Sequence, residues 1–268
     1  MSKSINRKNF LKASAAMVMV AGAKNTVGVE GNTIGKEQEY YELRVYKTKD
    51  ADKRKRLDRY LEKALIPALG RMGIDRIGVF TNIDKPDDYS IYVLIPYLTL
   101  EIFAAVNPKL LADRKYMLAA KEHFATSKDN PVFTRIQSKL YKAFEGMSVI
   151  EMPEQTADNK PRIFELRIYE SHTEEKAALK IDMFNNGEIQ LMRDTELAPV
   201  FFGDALVGND LPNLTYMLSA SDREAHKAHW SKFFAHPDWQ RMKEIPKYRD
   251  TVSNFANFFL MPTAYSQI

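Results

Sequence analysis

The 268-residue chain has no cysteine. That absence removes disulfides, thiol nucleophiles and cysteine-ligated zinc or iron–sulfur sites, and it leaves the redox compartment open. The sequence also has no glycine-rich phosphate loop, no GxSxG elbow and no HExxH helix. Nucleotide-dependent, serine-hydrolase and zinc-protease chemistries therefore lack their usual supports. Tryptophan occurs only twice and histidine only five times, so a metal cluster or an aromatic box has few members to draw on. What is present is ordinary globular material. Hydrophobic residues make up 45% and charged residues 28%, a balance that supplies a packed core and argues against wholesale disorder. The length fits one large domain or two of roughly 100–130 residues.

The amino terminus has its own pattern. Lys3, Arg7, Lys8 and Lys12 stand without a neighbouring acid, Ala13 to Val20 form a short apolar run, and Ala21-Gly22-Ala23 offers small residues for cleavage. The run is too short for a bilayer of ~30 Å, so residues 1–23 are expected to be an export signal and 24–37 a flexible leader. Asn6 to Lys12 resembles the twin-arginine motif with Lys8 in the second position, and a Sec signal fits as well. A disordered basic tail is the bland alternative. The expected location is periplasmic or extracellular, with no membrane span in the mature protein. The whole chain carries +4; without the four basic residues of the signal it is neutral. A neutral domain has no electrostatic footprint for phosphate backbones, so no nucleic-acid partner is expected. The run Lys53 to Arg56 sits among Asp50, Asp52, Asp58 and Glu62 and reads as a solvated helix face.

The chain also resembles itself. Tyr41-Glu42-Leu43-Arg44-Val45-Tyr46 matches Phe164-Glu165-Leu166-Arg167-Ile168-Tyr169 at an offset of 123 (165 − 42). Asp84-Lys85-Pro86-Asp87 matches the turn Asp210-Leu211-Pro212-Asn213, and Ile91-Tyr92-Val93-Leu94 matches Thr215-Tyr216-Met217-Leu218 at 124. Asn107-Pro108 pairs with His236-Pro237 at 129, and Ser138 to Met147 parallels Ser253 to Pro262 at 115, implying about 14 extra residues in the second helical region of the first copy. Leu57, Leu61, Leu65, Leu69 and Met72 form a helical stripe that Pro67 should kink or end. Each copy reads β-α-β-β-α-β, which predicts an α+β fold of two tandem ferredoxin-like units. The first spans 38–150, the second 162–268, with a polar linker at 151–161. Such a unit leaves one sheet face bare, so the two copies are expected to pack face to face as an intramolecular dimeric α/β barrel with a cavity between the sheets.

The Glu-Leu-Arg-x-Tyr opening of both copies, together with His229-Trp230, Phe233 and His236-Pro237-Asp238-Trp239, resembles the NIPSNAP family of the dimeric α/β-barrel superfamily. The resemblance runs from about Gln38 to the C-terminus. It implies the barrel fold and little mechanism, because the family's biochemical role is poorly defined. Relatives in the wider superfamily include cofactor-free oxygenases, haem-binding enzymes and small-molecule-binding proteins.

Strand alternation separates two faces in the first strand of each copy. The expectation is that Leu43, Val45, Leu166 and Ile168 pack on helices, while Glu42, Arg44, Tyr46, Glu165, Arg167 and Tyr169 point into the cavity. There an Arg fork could hold an anionic ligand and a Glu could serve as a base. The alternative is that Glu and Arg neutralise one another across the pseudo-twofold axis. Tyr92 and Tyr216 recur in the third strands and fit either core or cavity. His226 and His229 are expected on a helix surface, with His229 the one candidate for a haem ligand. Trp230 and Trp239 read as core anchors. The leading reading is an exported protein with a small-molecule-binding cavity, no cofactor and no metal. The rivals are a cofactor-independent oxygenase or isomerase, a haem-binding protein, or a barrel filled with side chains. Homo-oligomerisation is left open.

Overall fold

The computed structural model describes residues 37–268. The expected export signal and nearly all of the leader lie outside the described residues. Eight strands run in the order β1 (Tyr40–Lys47), β2 (Gly78–Asn82), β3 (Ile91–Tyr97), β4 (Arg135–Ala143), β5 (Ile163–Glu170), β6 (Pro199–Val207), β7 (Asn213–Ala220) and β8 (Asn254–Pro262). They close into one antiparallel barrel with neighbour order β1-β3-β2-β8-β5-β7-β6-β4. Each half supplies the four-stranded ferredoxin-like order, and the halves join at β2–β8 and β4–β6.

Helices follow the strands in the same places in both halves. In the first half α1 (Ala51–Tyr60) passes through a π turn (Leu61–Leu65) into α2 (Ile66–Arg71), and α3 (Leu100–Ala112), α4 (Arg114–Ala119) and α5 (Lys121–Phe124) come after β3. A short α6 (Glu154–Ala157) lies between the halves. The second half then has α7 (Glu174–Met183), a π turn (Phe184–Glu188), α8 (Ile189–Asp194), α9 (Arg223–Ala235) and α10 (Pro237–Met242). Asp50, Thr99, Thr173 and Asp222 cap these helices by accepting a hydrogen bond from a first-turn amide, which satisfies donors that have no partner inside the helix. Pro67 does not end its helix. The π turn before it widens the coil, so a proline at the start of α2 is accommodated.

The internal correspondence is more regular than the sequence suggests. From α1 to α4 the elements of the first half return 123 residues later: Ala51 becomes Glu174, Leu100 becomes Arg223, and Arg114 becomes Pro237. The spacing drops only at β4, where Lys139 opposite Leu43 corresponds to Phe258 opposite Leu166, an offset of 119. The first half thus carries four extra residues, not 14. Pro108 lies inside α3 whereas Pro237 opens α10, so those two prolines are not equivalent. The third strands are also one residue out of the expected match. Val45 pairs with Tyr92 while Ile168 pairs with Thr215. Tyr92 therefore corresponds to Thr215, and a one-residue slip sends Tyr92 and Tyr216 to opposite faces.

Three apolar clusters hold the structure. Two lie between helices and the outer barrel wall, one per half, and the third fills the barrel interior. Inside the barrel, glycine makes room for aromatic rings. A Cβ on Gly203 would sit 2.7 Å from Cβ of Tyr141, the fixed root of a fully buried side chain. Gly203→Ala is expected to cost about 1–3 kcal/mol in urea unfolding through overpacking. Gly70→Ala, in α2 with nothing within 4 Å, should be neutral or stabilising by up to about 1 kcal/mol. Equal effects at both positions would show that this close approach is not a real constraint.

Candidate functional site

The two faces of β1 and β5 are the reverse of the sequence expectation. Leu43, Val45, Leu166 and Ile168 face the barrel interior. Glu42, Arg44, Tyr46, Glu165, Arg167 and Tyr169 face outward, under the helices. Tyr216 is also on the helix side, packed on Phe184 and Phe202. Of the expected cavity residues only Tyr92 lines the space between the sheets. The physical reason is closure. Inward side chains meet only one another, so buried charges are better placed where helices can bring hydrogen-bond partners.

The interior is filled at one end and open at the other. Tyr41, Phe80, Tyr141, Phe164 and Phe201 pack the end where β1 and β5 begin, with Tyr41 5.2 Å from Phe201 and Phe80 4.9 Å from Phe164 in edge contacts. At the opposite end a cavity of about 540 Å³ remains. Leu43, Val45, Tyr92, Leu166, Ile168 and Phe258 give it an apolar floor. Lys47, Lys85, Asp88, Glu170 and Asp210 stand at its mouth. Lys139 points inward from β4, opposite Leu43, with its ammonium 3.8 Å from Asp210 and its stem against Gly208. The matching position in β8 is Phe258, so the pocket is two-sided: a cation on one wall and an aromatic ring on the other.

Outside the barrel, the second half builds a dense polar network. Oε1 of Glu165 accepts from Arg167 Nη1 at 2.7 Å and from Asn257 at 2.8 Å. Its Oε2 lies 2.7 Å from His226 Nε2 and accepts from the Trp230 indole at 3.0 Å. Arg167 also donates to the Tyr169 hydroxyl and lies 4.7 Å from the Trp230 ring centroid, a cation–π contact. Tyr216 donates to Tyr169 at 2.8 Å. Burial pushes the Glu165 carboxyl up, but His226, Arg167 and Asn257 outweigh it and hold the group at about 2. Burial likewise disfavours the Arg167 charge, and the facing Tyr216, Tyr169 and Glu165 overcome it, so its pKa is raised. Beside this network Lys180 and Glu188 form a second buried ion pair at 2.7 Å.

The first half is sparser. Glu42 accepts from Arg44 at 2.6 Å, Ser138 at 2.7 Å and Tyr97 at 2.9 Å. Neither Glu–Arg pair crosses the pseudo-twofold axis; each is made within one strand, two residues apart. His226 is buried rather than on the surface, held by Glu165 and packed edge-on against Trp230 and Phe259. His229 lies near Glu196 at 3.7 Å, away from the barrel cavity. Trp230 is more than a packing anchor, since it both donates to Glu165 and covers Arg167. Sequence spacing had the helical signal to find His226, because it follows the Asp222 cap by one turn, but nothing local revealed which sheet residue it meets. Among the described residues no three His, Asp or Glu side chains converge on a metal-sized site, and no helix is long and apolar enough to cross a membrane.

Residues 164–267, the span from β5 to β8, match the NIPSNAP family model. The NIPSNAP match thus covers the half that holds the Glu165 network. No curated protein sequence matches the chain. Among solved structures, a candidate monooxygenase from Fusobacterium nucleatum aligns over 85% of this chain and 93% of its own at 10% identity, with a TM-score of 0.56. One from Lactobacillus acidophilus aligns over 84% and 94% at 9% identity, with a TM-score of 0.55. A NIPSNAP-like domain protein from Burkholderia xenovorans covers 39% of this chain and 88% of its own at 20% identity, with a TM-score of 0.36. The two longer alignments are likenesses of fold, and they agree with the α+β barrel described above.

Glu165 gives the second half an acid signature. Its carboxyl sits at about 2 against an ordinary value near 4.5, so its contribution is complete above the ordinary value and is lost as pH falls through about 2. That contribution is on the order of 3 kcal/mol. Urea unfolding of the wild type should weaken steeply between pH 5 and pH 2. Glu165→Gln should be less stable at pH 7 and show a flatter acid limb; an acid limb as steep as the wild type's would remove Glu165 from this role.

Proposed function

We propose that this is an exported NIPSNAP-like protein that binds a small amphipathic anion in the open end of its barrel. The observation that carries the reading is the cavity of about 540 Å³ with an apolar floor and the inward Lys139. Ligand pockets commonly fall in the range of roughly 300–1,000 Å³, mostly apolar with a few placed polar groups. Leu43, Leu166, Ile168 and Phe258 would hold a ring or short chain, and Lys139 would exchange its long, half-solvated contact with Asp210 for the ligand's anionic group. Binding suits this site better than catalysis. Apart from Lys139 and the Tyr92 phenol, which burial keeps protonated, the ionisable groups stand at its mouth, and the buried carboxylates Glu42 and Glu165 are committed to partners outside the barrel. The shared element order of the two halves, with the Glu-Leu-Arg-x-Tyr opening in each, supports reading the whole chain as a duplicated module.

The test uses 8-anilinonaphthalene-1-sulfonate, whose fluorescence rises in apolar surroundings, on the native protein. One site is expected. Ile168→Trp should fill the cavity and abolish binding, and Lys139→Met should weaken the sulfonate by roughly tenfold while sparing an uncharged naphthalene probe. Unchanged titrations in Ile168→Trp would overturn the reading.

Export rests on the basic, apolar and small-residue pattern of residues 1–23. Protein recovered from the producing cell is expected outside the cytoplasm, starting after about Ala23. Amino-terminal sequencing that finds Met1 in place in the native protein refutes it.

A further inference from the structure

We infer a second binding site, for a small phosphomonoester, in the cleft of the first half between the α1–π-turn segment and α4–α5. This site is independent of the barrel cavity. The cleft has a volume of about 280 Å³, and Arg56, Arg59, Lys63 and Lys121 stand around it with Glu122 as the one carboxylate. Arg59 is paired with Glu122 at 3.1 Å and Lys63 with Glu62 at 2.8 Å. Arg56 and Lys121 have no carboxylate partner among the described residues. At its floor His123 stacks on Tyr60, with ring centroids 3.8 Å apart, and His123 Nδ1 is buried without a hydrogen-bond partner. Buried polar atoms are rarely left unpaired, so a water or a ligand atom is the expected partner of Nδ1.

The second half shows that this charge is not a requirement of the fold. Its corresponding cleft is lined by Asn186 and Met242, which stand where the first half has Lys63 and Ala119. That cleft has a volume of about 360 Å³ and carries Asp194, Asp238 and Arg241. Arg59 corresponds to Asp182, which is occupied there by Lys247 and Tyr248. The same architecture is therefore basic in one half and of mixed charge in the other. Four cations around one cleft, two of them without a carboxylate partner among the described residues, in a chain whose charge outside the amino-terminal segment sums to zero, favour a compact dianion over an extended polyanion. The apolar edges of Leu118 and Val132 leave room for a small organic body beside the phosphate.

The experiment is titration of the native protein with phenyl phosphate, inorganic phosphate and phenol, read by calorimetry and by the His123 ring resonances. Phenyl phosphate is expected to shift the His123 signals, and phenol to leave them unchanged. The Arg56→Glu/Lys121→Glu double variant should lose at least roughly tenfold in affinity. Both positions lie on helix surfaces, and unfolding curves matching the wild type will confirm that the variant folds. Inorganic phosphate, which has no apolar body for the barrel floor, should shift the same His123 signals, more weakly than phenyl phosphate. Two results would overturn the inference: no shift of the His123 signals in the wild type, or an equal His123 titration in the double variant. Calorimetric binding without any His123 shift would place the anion in the barrel and support the first site at the expense of this one.

Discussion

Closure of the barrel is the constraint on which the other features depend. The seams are short. β2 meets β8 over Phe80–Asn82, and β4 meets β6 over Leu140–Ala143. The first seam is extended by the segment after β8: Gln267 donates to Ile77, Ser266 accepts from Val79, and Thr263 donates to Val79. These bonds leave no long open edge, which would otherwise be a template for pairing with other chains. They also fix which residues are inside. Once eight strands share one interior, each inward position must suit seven other strands, and an aromatic plug at one end with a cavity at the other is the result.

The same constraint explains the polar networks. A charge directed inward would face apolar walls, whereas a charge on the outer face lies beneath a helix that can carry its partner. In the second half α9 brings His226 and Trp230 onto Glu165, and β8 brings Asn257. In the first half the helix offers Phe103 at the place of His226, and Glu42 takes Tyr97 and Ser138 from neighbouring strands instead. Both carboxylates are thus satisfied, by different elements. Arg44 donates only through Nε to Glu42, while Arg167 is engaged through all three nitrogens.

The strand–helix order, the α+β class and the two openings were legible in the sequence because alternation and helical periods are local signals. Which face points inward was not. Leu43-Arg44-Val45 alternates equally well for either choice, and only the partners on α9 and β8, some 60–90 residues further on, decide it. The slip between Tyr92 and Tyr216 has a similar origin. Two tyrosines one position out of register look like a repeat, but the true partners are Val45 with Tyr92 and Ile168 with Thr215. The estimate of the insertion failed for the same reason: prolines and serines mark turns in many contexts, and matching them by type shifted the alignment of the last helices.

One pair of positions shows how far the halves have diverged while keeping their frame. Lys180 and Glu188, buried together at 2.7 Å, occupy the places of Leu57 and Leu65, both fully buried in the first half. The backbone is the same and the volume is similar, yet one half closes its helix on the sheet with an ion pair and the other with two leucines. A buried pair of this kind gains little over apolar packing, because desolvation consumes most of the Coulomb attraction. Stability alone therefore gives no reason to keep it. Lys180 lies 4.6 Å from the Phe184 ring centroid and 5.8 Å from that of Tyr169, so the pair abuts the Arg167–Tyr169–Tyr216 chain. The second half thus holds two buried ion pairs on the helix side of its sheet, while the first half holds Glu42–Arg44 there and carries further cations at a surface cleft. The two halves share a fold and divide its polar chemistry between them.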